Sequence, residues 1–270
     1  MSSKTAIVTG MCRGAAGIGL GIAKYLGQAS EHGVSHIAVL DINTATGEEA
    51  LASLKDEFPN VTFSFHICDV TSWEIQAEVF ESVYTKQARI DIVFANAGIA
   101  ETGFLFQTEG DKPVKPDLKT YDIDLTGAMY TVSLAAFYIS KNQLSAGNPF
   151  KGSIICTASN SGLYPLSLAP IYTISKYGVV APCIVETNIG ARLRSLPGIT
   201  FTPLSAVIAA VGKCLGDSAL NGKILEISED RVTLAEAPAF VDESTETNLG
   251  ILEGLAQRIW NGDFGDHGEK

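Results

Sequence analysis

The sequence predicts an α/β protein of three layers, a doubly wound parallel sheet with helices on both faces. Over the first 160 residues, short apolar runs alternate with amphipathic segments, the pattern left by successive βαβ units. The second run, His36–Leu40, is apolar almost throughout, as a strand covered on both faces should be. A glycine-rich turn joins the first run to the first amphipathic segment, where such sheets commonly bind a phosphate.

The elements follow in order. Thr5–Val8 is the first strand, and Ile18, Ile22 and Leu26 recur at helical spacing behind it. His36–Leu40 is the second strand, followed by a helix marked by Leu51, Leu54 and Phe58. Val61–Ile67 is the third, with Ile75, Val79 and Val83 on the next helix, and Ile90–Ala95 is the fourth. A long helix over 118–141 carries Leu125, Met129, Val132, Ala136 and Ile139 in register, and Ser153–Thr157 is the fifth strand. Thr202-Pro203 reads as an N-cap and first helical residue, ahead of an apolar face of Val207, Ala210, Val211, Cys214 and Leu215. A turn over 218–222 precedes a last strand, Lys223–Ile227. The tail from Arg231 holds an acidic polar stretch and an amphipathic run from Leu249 to Trp260. With no internal repeat and 46% hydrophobic residues, 1–270 reads as a single domain, in which 188–201 and 231–270 build the substrate loop and tail.

Composition narrows the function. A net charge of -11 and an isoelectric point near 4.8 oppose a nucleic-acid or anionic-membrane surface. No apolar run reaches the length of a membrane span, and Met1-Ser2-Ser3-Lys4 leads directly into a strand, so a cytoplasmic protein is expected. The five cysteines are widely spaced and form no Cys-x-x-Cys pair, which predicts reduced thiols. The four histidines offer no ligand spacing, and no metal is expected.

Several motifs fall at the carboxyl ends of the strands, where parallel sheets bind ligands. Thr9-Gly10-Met11-Cys12-Arg13-Gly14-Ala15-Ala16-Gly17-Ile18-Gly19 closes the first strand and opens a helix. Its glycines let the backbone turn sharply and approach a pyrophosphate. Asp41 closes the second strand, 22 residues beyond Gly19. A carboxylate there accepts from ribose hydroxyls and repels a 2′-phosphate, favouring NAD over NADP, although Arg13 in the loop argues the other way. Asp69-Val70 and Asn96-Ala97-Gly98 follow the third and fourth strands. Ser159 follows the fifth, thirteen residues before Tyr172, and Lys176 lies four residues beyond Tyr172. Residues four apart share a helix face. An ammonium beside a phenol favours the phenolate, which equips a group ordinarily titrating near pH ~10 for proton transfer. Tyr-x-x-x-Lys alone is common, and its meaning comes from the motifs before it.

In order and spacing, Thr9-Gly10, Gly17-Ile18-Gly19, Asp41, Asp69-Val70, Asn96-Ala97-Gly98, Ser159 and Tyr172-x-x-x-Lys176 resemble the short-chain dehydrogenases/reductases over about residues 5–228. Asp41 and Ser218–Gly222 look most like the NAD-linked, 15-hydroxyprostaglandin-dehydrogenase-like branch. The resemblance implies a Rossmann-type fold, a homodimer or homotetramer, and hydride transfer between NAD and a small-molecule secondary alcohol or ketone. It implies that Tyr172 is the acid/base, that Lys176 assists it and holds the nicotinamide ribose, and that Ser159 orients the substrate oxygen. Gly10, Gly14, Gly17, Ile18, Gly19, Asp41, Asp69, Val70, Asn96, Ala97, Gly98, Val185 and Thr187 would contact the cofactor.

The chain departs from that family in three places. Six residues, Met11 to Ala16, separate Thr-Gly from Gly-Ile-Gly where the family has three, so either Met11-Cys12-Arg13 is inserted or Gly14 takes the middle glycine's role. Asp124 stands in Asp-Leu-Thr-Gly where the family has an asparagine that supports a proton relay; a carboxylate accepts but cannot donate. After Lys176, the rest of the helix and the sixth strand are shortened or missing, and Pro182–Thr187 follows almost at once. Cys183–Glu186 can serve as the strand or as the loop over the nicotinamide, but not both. The family's subunit interface uses this helix, so oligomerisation depends on it. Two rival readings follow: a dinucleotide-binding scaffold or regulator without turnover, and a redox-neutral cyclase or isomerase.

Overall fold

Among the described residues, five parallel strands form the central sheet, in the spatial order Thr62–Ile67, Val34–Asp41, Lys4–Thr9, Ile92–Ala95 and Ser153–Cys156, with helices on both faces. The structure is a computed structural model. It describes residues 3–11, 17–28, 32–102, 105, 107–144, 150–162, 169–179, 203–220, 225–228 and 230–234. Met1–Leu234 makes one compact unit. The expected inclusion of 235–270 in the same domain, the substrate loop at 188–201 and the choice between strand and loop at Cys183–Thr187 lie outside the described residues.

The first half follows the apolar rhythm. Strands β1 (Lys4–Thr9), β2 (Val34–Asp41) and β3 (Thr62–Ile67) alternate with helices α1 (Ile18–Gln28), α2 (Thr44–Glu57) and α3 (Trp73–Gln87), and β4 (Ile92–Ala95) follows. Asn43 and Ser72 cap α2 and α3, each accepting from a first-turn backbone N–H at 3.2 and 3.3 Å. Successive strand residues go to opposite faces. Ala6, Val8, Ile37 and Val39 pack with Ile22 and Leu26 of α1 and Leu54 of α2. Ile7, Ala38, Leu40 and Val93 pack with Phe80 of α3 and Leu134 and Tyr138 from the long helix beyond β4.

Before that long helix the chain makes a small hairpin, β5 (Thr108–Glu109) with β6 (Lys112–Pro113), turning at Gly110, whose φ is +59°. The expected helix over 118–141 runs as α4 (Lys119–Tyr121), a π-helical turn at Asp122–Thr126, and α5 (Gly127–Ser140). Strand β7 (Ser153–Cys156) pairs with β4. A 3₁₀ turn at Asn160–Gly162 and α6 (Pro170–Gly178) follow, then α7 (Leu204–Gly216).

The last strand corrects the sequence reading. Leu225–Ser228 (β8) does not join the described central sheet; it pairs antiparallel with Arg231–Leu234 (β9), which had read as tail. Among the described residues β7 ends the central sheet, and β8 has no neighbour in that sheet. Backbone donors and acceptors must be paired, and the nearest partner for β8 is the chain that follows it. Ile227 and Val232 of this hairpin pack on Ala206, Val207 and Ala210 of α7. No helix among the described residues is long and apolar enough to cross a membrane.

Candidate active site

A cleft of about 1270 Å³ opens at the carboxyl ends of the strands, larger than the ~300–1,000 Å³ of an ordinary small-molecule pocket. Its lining includes Gly10, Gly17, Ile18, Asp41, Asp69, Val70, Asn96, Ala97, Gly98, Asp124, Thr157, Tyr172 and Lys176. Sites named separately along some 170 residues of sequence thus face one space.

The floor is built by close backbone approach. Gly10 has φ +72°, and a Cβ there would lie 2.5 Å from the Cα of Ala97. A Cβ on Gly19 would come within 2.5 Å of the Gly10 carbonyl oxygen. Only glycine fits either position without displacing backbone. Asn96 ties the two loops together, its Nδ2 donating to the carbonyls of Thr9 at 3.0 Å and Gly10 at 2.9 Å. The Thr9 hydroxyl accepts from the N–H groups of Asn96 and Ala97 at 3.0 and 3.1 Å. Asn96 and Thr9 are therefore braces of the floor. Gly14 and Arg13 lie outside the described residues, as do Val185 and Thr187.

Around the floor, Asp41 ends β2 and accepts from the Asn43 N–H at 2.9 Å. The Asp69 carboxylate accepts from the N–H and hydroxyl of Thr71 at 2.9 and 2.8 Å, which fixes the turn after β3. Val70 packs where a Cβ on Gly127 would meet it at 2.7 Å, so α5 approaches this turn closely. Cys68, also in the cleft wall, has its thiol pushed up to about 12 by burial and then by the neighbouring Asp69 charge, which removes it as a nucleophile. These residues fit a dinucleotide: the N-terminus of α1 enters the cleft at Gly17-Ile18, as a pyrophosphate requires, and Asp41 offers a carboxylate for ribose hydroxyls.

Helix α6 presents Tyr172 and Lys176 to the cleft, with the Lys176 Nζ 5.5 Å from the centre of the phenol ring. The ammonium lies 3.0 Å from Asp124 Oδ2 and 3.4 Å from the Thr157 carbonyl oxygen. Asp124 Oδ1 accepts from the Ile99 N–H at 2.7 Å. A side chain on Gly98 would start 3.1 Å from the carboxylate and 3.2 Å from the ammonium, so this glycine lets the chain pass over the ion pair. The π-helical turn places Asp124 here; such turns are frequent at functional sites.

Ser159 is buried beyond β7, and its Oγ accepts from the Ser161 N–H at 3.2 Å. The 3₁₀ turn it begins packs on α6, since a Cβ on Gly162 would come within 2.4 Å of the Lys176 carbonyl oxygen. The structure brings Tyr172, Lys176 and Asp124 together on the cleft wall, whereas Ser159 is not among the lining residues. One residue was missed in the sequence: Glu101, whose carboxylate accepts from the backbone N–H groups of Ile171 and Tyr172. The only local signal for it was an α6 start with proline at the first position and alanine, which has no acceptor, before it.

Comparison with known proteins agrees with this architecture. The family model for short chain dehydrogenases matches residues 4–183. The short-chain dehydrogenase/reductase prx7 of Penicillium rubens is 36% identical, over 91% of this chain and 100% of the relative. That alignment runs over 294 positions against the 270 residues of this chain, so the relative has segments that this chain lacks. The NADP-dependent dehydrogenase clz5 of Cochliobolus lunatus is 33% identical over 66% of this chain and 62% of the relative. The NAD(+) 15-hydroxyprostaglandin dehydrogenase of Rattus norvegicus is 29% identical over 76% and 71%. A solved 3-oxoacyl-(acyl-carrier protein) reductase from Brucella melitensis, in complex with NAD, shares the fold at a TM-score of 0.66 and 20% identity, covering 82% of this chain and 93% of that one. The chain belongs to the short-chain dehydrogenase family of oxidoreductases.

Proposed function

We propose that this protein transfers a hydride between NAD and a secondary alcohol or ketone, with Tyr172 moving the proton. The observation that carries the proposal is the shared cleft: Gly10, Gly17 and Asp41 line the same space as Tyr172 and Lys176. When bound, NAD supplies the hydride chemistry. Tyr172 takes the hydroxyl proton of an alcohol, or returns it to a carbonyl oxygen, and Lys176 supplies a cation beside it. Ser159 orients the substrate oxygen by donating its hydroxyl proton, a bond compatible with the one its Oγ accepts from the Ser161 N–H. Asp124 holds Lys176 in place and neutralises part of its charge. Asp41 favours NAD, because a 2′-phosphate beside that carboxylate is repelled.

The test is turnover of a panel of secondary alcohols and ketones with NAD and with NADP, for the native chain and for Asp41→Ser. Turnover with NAD, and a selectivity ratio that moves toward NADP by about tenfold or more in the variant, supports the proposal. Native preference for NADP would overturn the cofactor reading.

The Asp124–Lys176 pair favours one second reading, a dinucleotide-binding regulator without turnover, because the charge of the cation beside the phenol is partly offset. Tyr172→Phe separates the two: a cellular effect that survives with NAD binding intact would sink the dehydrogenase reading. Met129 and Phe137 on α5 and Ile174 and Tyr177 on α6 are exposed, which supports a homo-oligomer. Particle size by sedimentation tests that point.

A further inference from the structure

Helix α6 begins in an unusual way for a helix that must hold a reactive side chain in its first turn. Its first residue, Pro170, has no N–H, and Ala169 before it makes no side-chain cap. Thr173 is the first residue whose N–H reaches a carbonyl of this segment, that of Ala169 at 2.9 Å. Two donors remain, Ile171 and Tyr172. A single carboxylate takes both: Ile171 N–H donates to Glu101 Oε1 at 3.3 Å and Tyr172 N–H to Oε2 at 2.7 Å. Glu101 therefore caps α6 from a loop seventy residues earlier in the chain. A negative charge at a helix N-terminus is favourable, and hydrogen bonds to an ionised acceptor are the stronger kind.

The same loop reaches the other end of the site. Two residues before Glu101, the Ile99 N–H donates to Asp124, whose other oxygen meets Lys176. Between them the Ala100 carbonyl accepts from the Thr120 hydroxyl at 3.2 Å. The short strap 98–101 thus sets both the backbone of Tyr172 and, through Asp124, the ammonium of Lys176.

We infer that Glu101 is a positioning residue for Tyr172: by holding the tyrosine's own N–H, it fixes the point from which the phenol projects into the cleft. The inference rests on the reading of Tyr172 as the proton-transferring group. It extends that reading to a residue with no place in the sequence motifs. A carboxylate fits this contact because each of its oxygens takes one N–H, whereas a glutamine in the same pose would set its NH2 group against one of the two donors.

The test compares Glu101→Gln and Glu101→Ala with the native chain, by NADH titration, steady-state kinetics and amide hydrogen exchange resolved over residues 169–179. For Glu101→Ala, kcat falls about ten- to a hundredfold, the loss typical of a misplaced catalytic group, while the NADH dissociation constant changes by less than about threefold. Exchange at Ile171 and Tyr172 rises about tenfold in the same variant, as loss of a cap allows. Glu101→Gln falls between in both measurements and serves if the alanine variant does not fold. Unchanged exchange overturns the inference. Faster exchange with native kcat also overturns it, since Glu101 would then be a cap without consequence for the phenol. Absence of turnover in the native chain counts against the dehydrogenase reading itself, and exchange alone then decides whether Glu101 holds Tyr172.

Discussion

Asp124 and Lys176 form an ion pair at 3.0 Å, with the lysine side chain 5% exposed and the carboxylate 0% exposed. The pair faces the phenol of Tyr172 across the Lys176 ammonium, so the tyrosine meets a cation whose field is partly offset. Removing one partner of a buried pair leaves an uncompensated charge, which is strongly destabilising.

Asp124→Asn keeps an oxygen for the Ile99 N–H and removes the negative charge. With its counter-charge gone, the Lys176 ammonium is no longer held at its present position beside Tyr172, and kcat falls about tenfold or more. Native kcat in this variant would show that Asp124 does not position Lys176 for catalysis.

Lys176→Met loses turnover by more than about a hundredfold and destabilises the fold by about 3–5 kcal/mol, because Asp124 is then buried without its cation. Combined with Asp124→Asn, the destabilisation shrinks, since neither charge remains. Urea unfolding of the four members of this cycle measures the coupling, and purely additive losses would contradict a direct pair.

Gly10→Ala places a Cβ 2.5 Å from the Ala97 Cα at a φ of +72°. Neither strand end can retreat without breaking the Asn96 contacts. The variant loses about 1–3 kcal/mol of stability and binds NADH at least about tenfold more weakly. Thermal unfolding with and without NADH reads both effects.

His36 and His66 share the sheet face with Ser64 and Thr62. His36 contacts Thr62 Oγ1 at 2.9 Å and Ser64 Oγ at 3.1 Å, and Ser64 Oγ contacts His66 at 3.0 Å. Burial lowers both histidines below their ordinary 6.5; His66 and Lys86 add to this for His36, and Lys86 for His66. The unfolded chain therefore takes up protons at higher pH than the folded one. The stabilising contribution is fully present above pH 6.5 and is lost as pH falls through the folded values, with a slope of at most about 1.4 kcal/mol per pH unit for each group. His66→Gln flattens the decline of Tm between pH 7 and pH 5 relative to the native chain; equal slopes would refute the assignment.

Much of the fold was legible because its signals are local. Strands β1, β2, β4 and β7 are mostly apolar runs, β3 alternates apolar and polar residues, and α1, α2 and α3 carry apolar residues at helical spacing, so each segment declares its state without its neighbours. The motifs at the strand ends were legible for a similar reason. A parallel sheet places every strand's carboxyl end on one side, so Gly10, Asp41 and Asn96 had to face a common space once the strands were assigned.

What required the tertiary structure were the relationships that depend on distance across the fold. The pairing of β8 with β9 instead of the central sheet depends on which edge is within reach. The hairpin β5–β6, with two-residue strands, carries too little pattern to be read. The sequence by itself determined that Tyr172 and Lys176 share a helix face and that Asp124 replaces an amide with a charge. Only the fold decided that this charge meets the Lys176 ammonium and that Glu101 holds the Tyr172 backbone. Both contacts join residues from separate elements, fifty-two and seventy-one positions apart in the chain. Such pairings arise when packing brings those elements into contact, and no local periodicity records them.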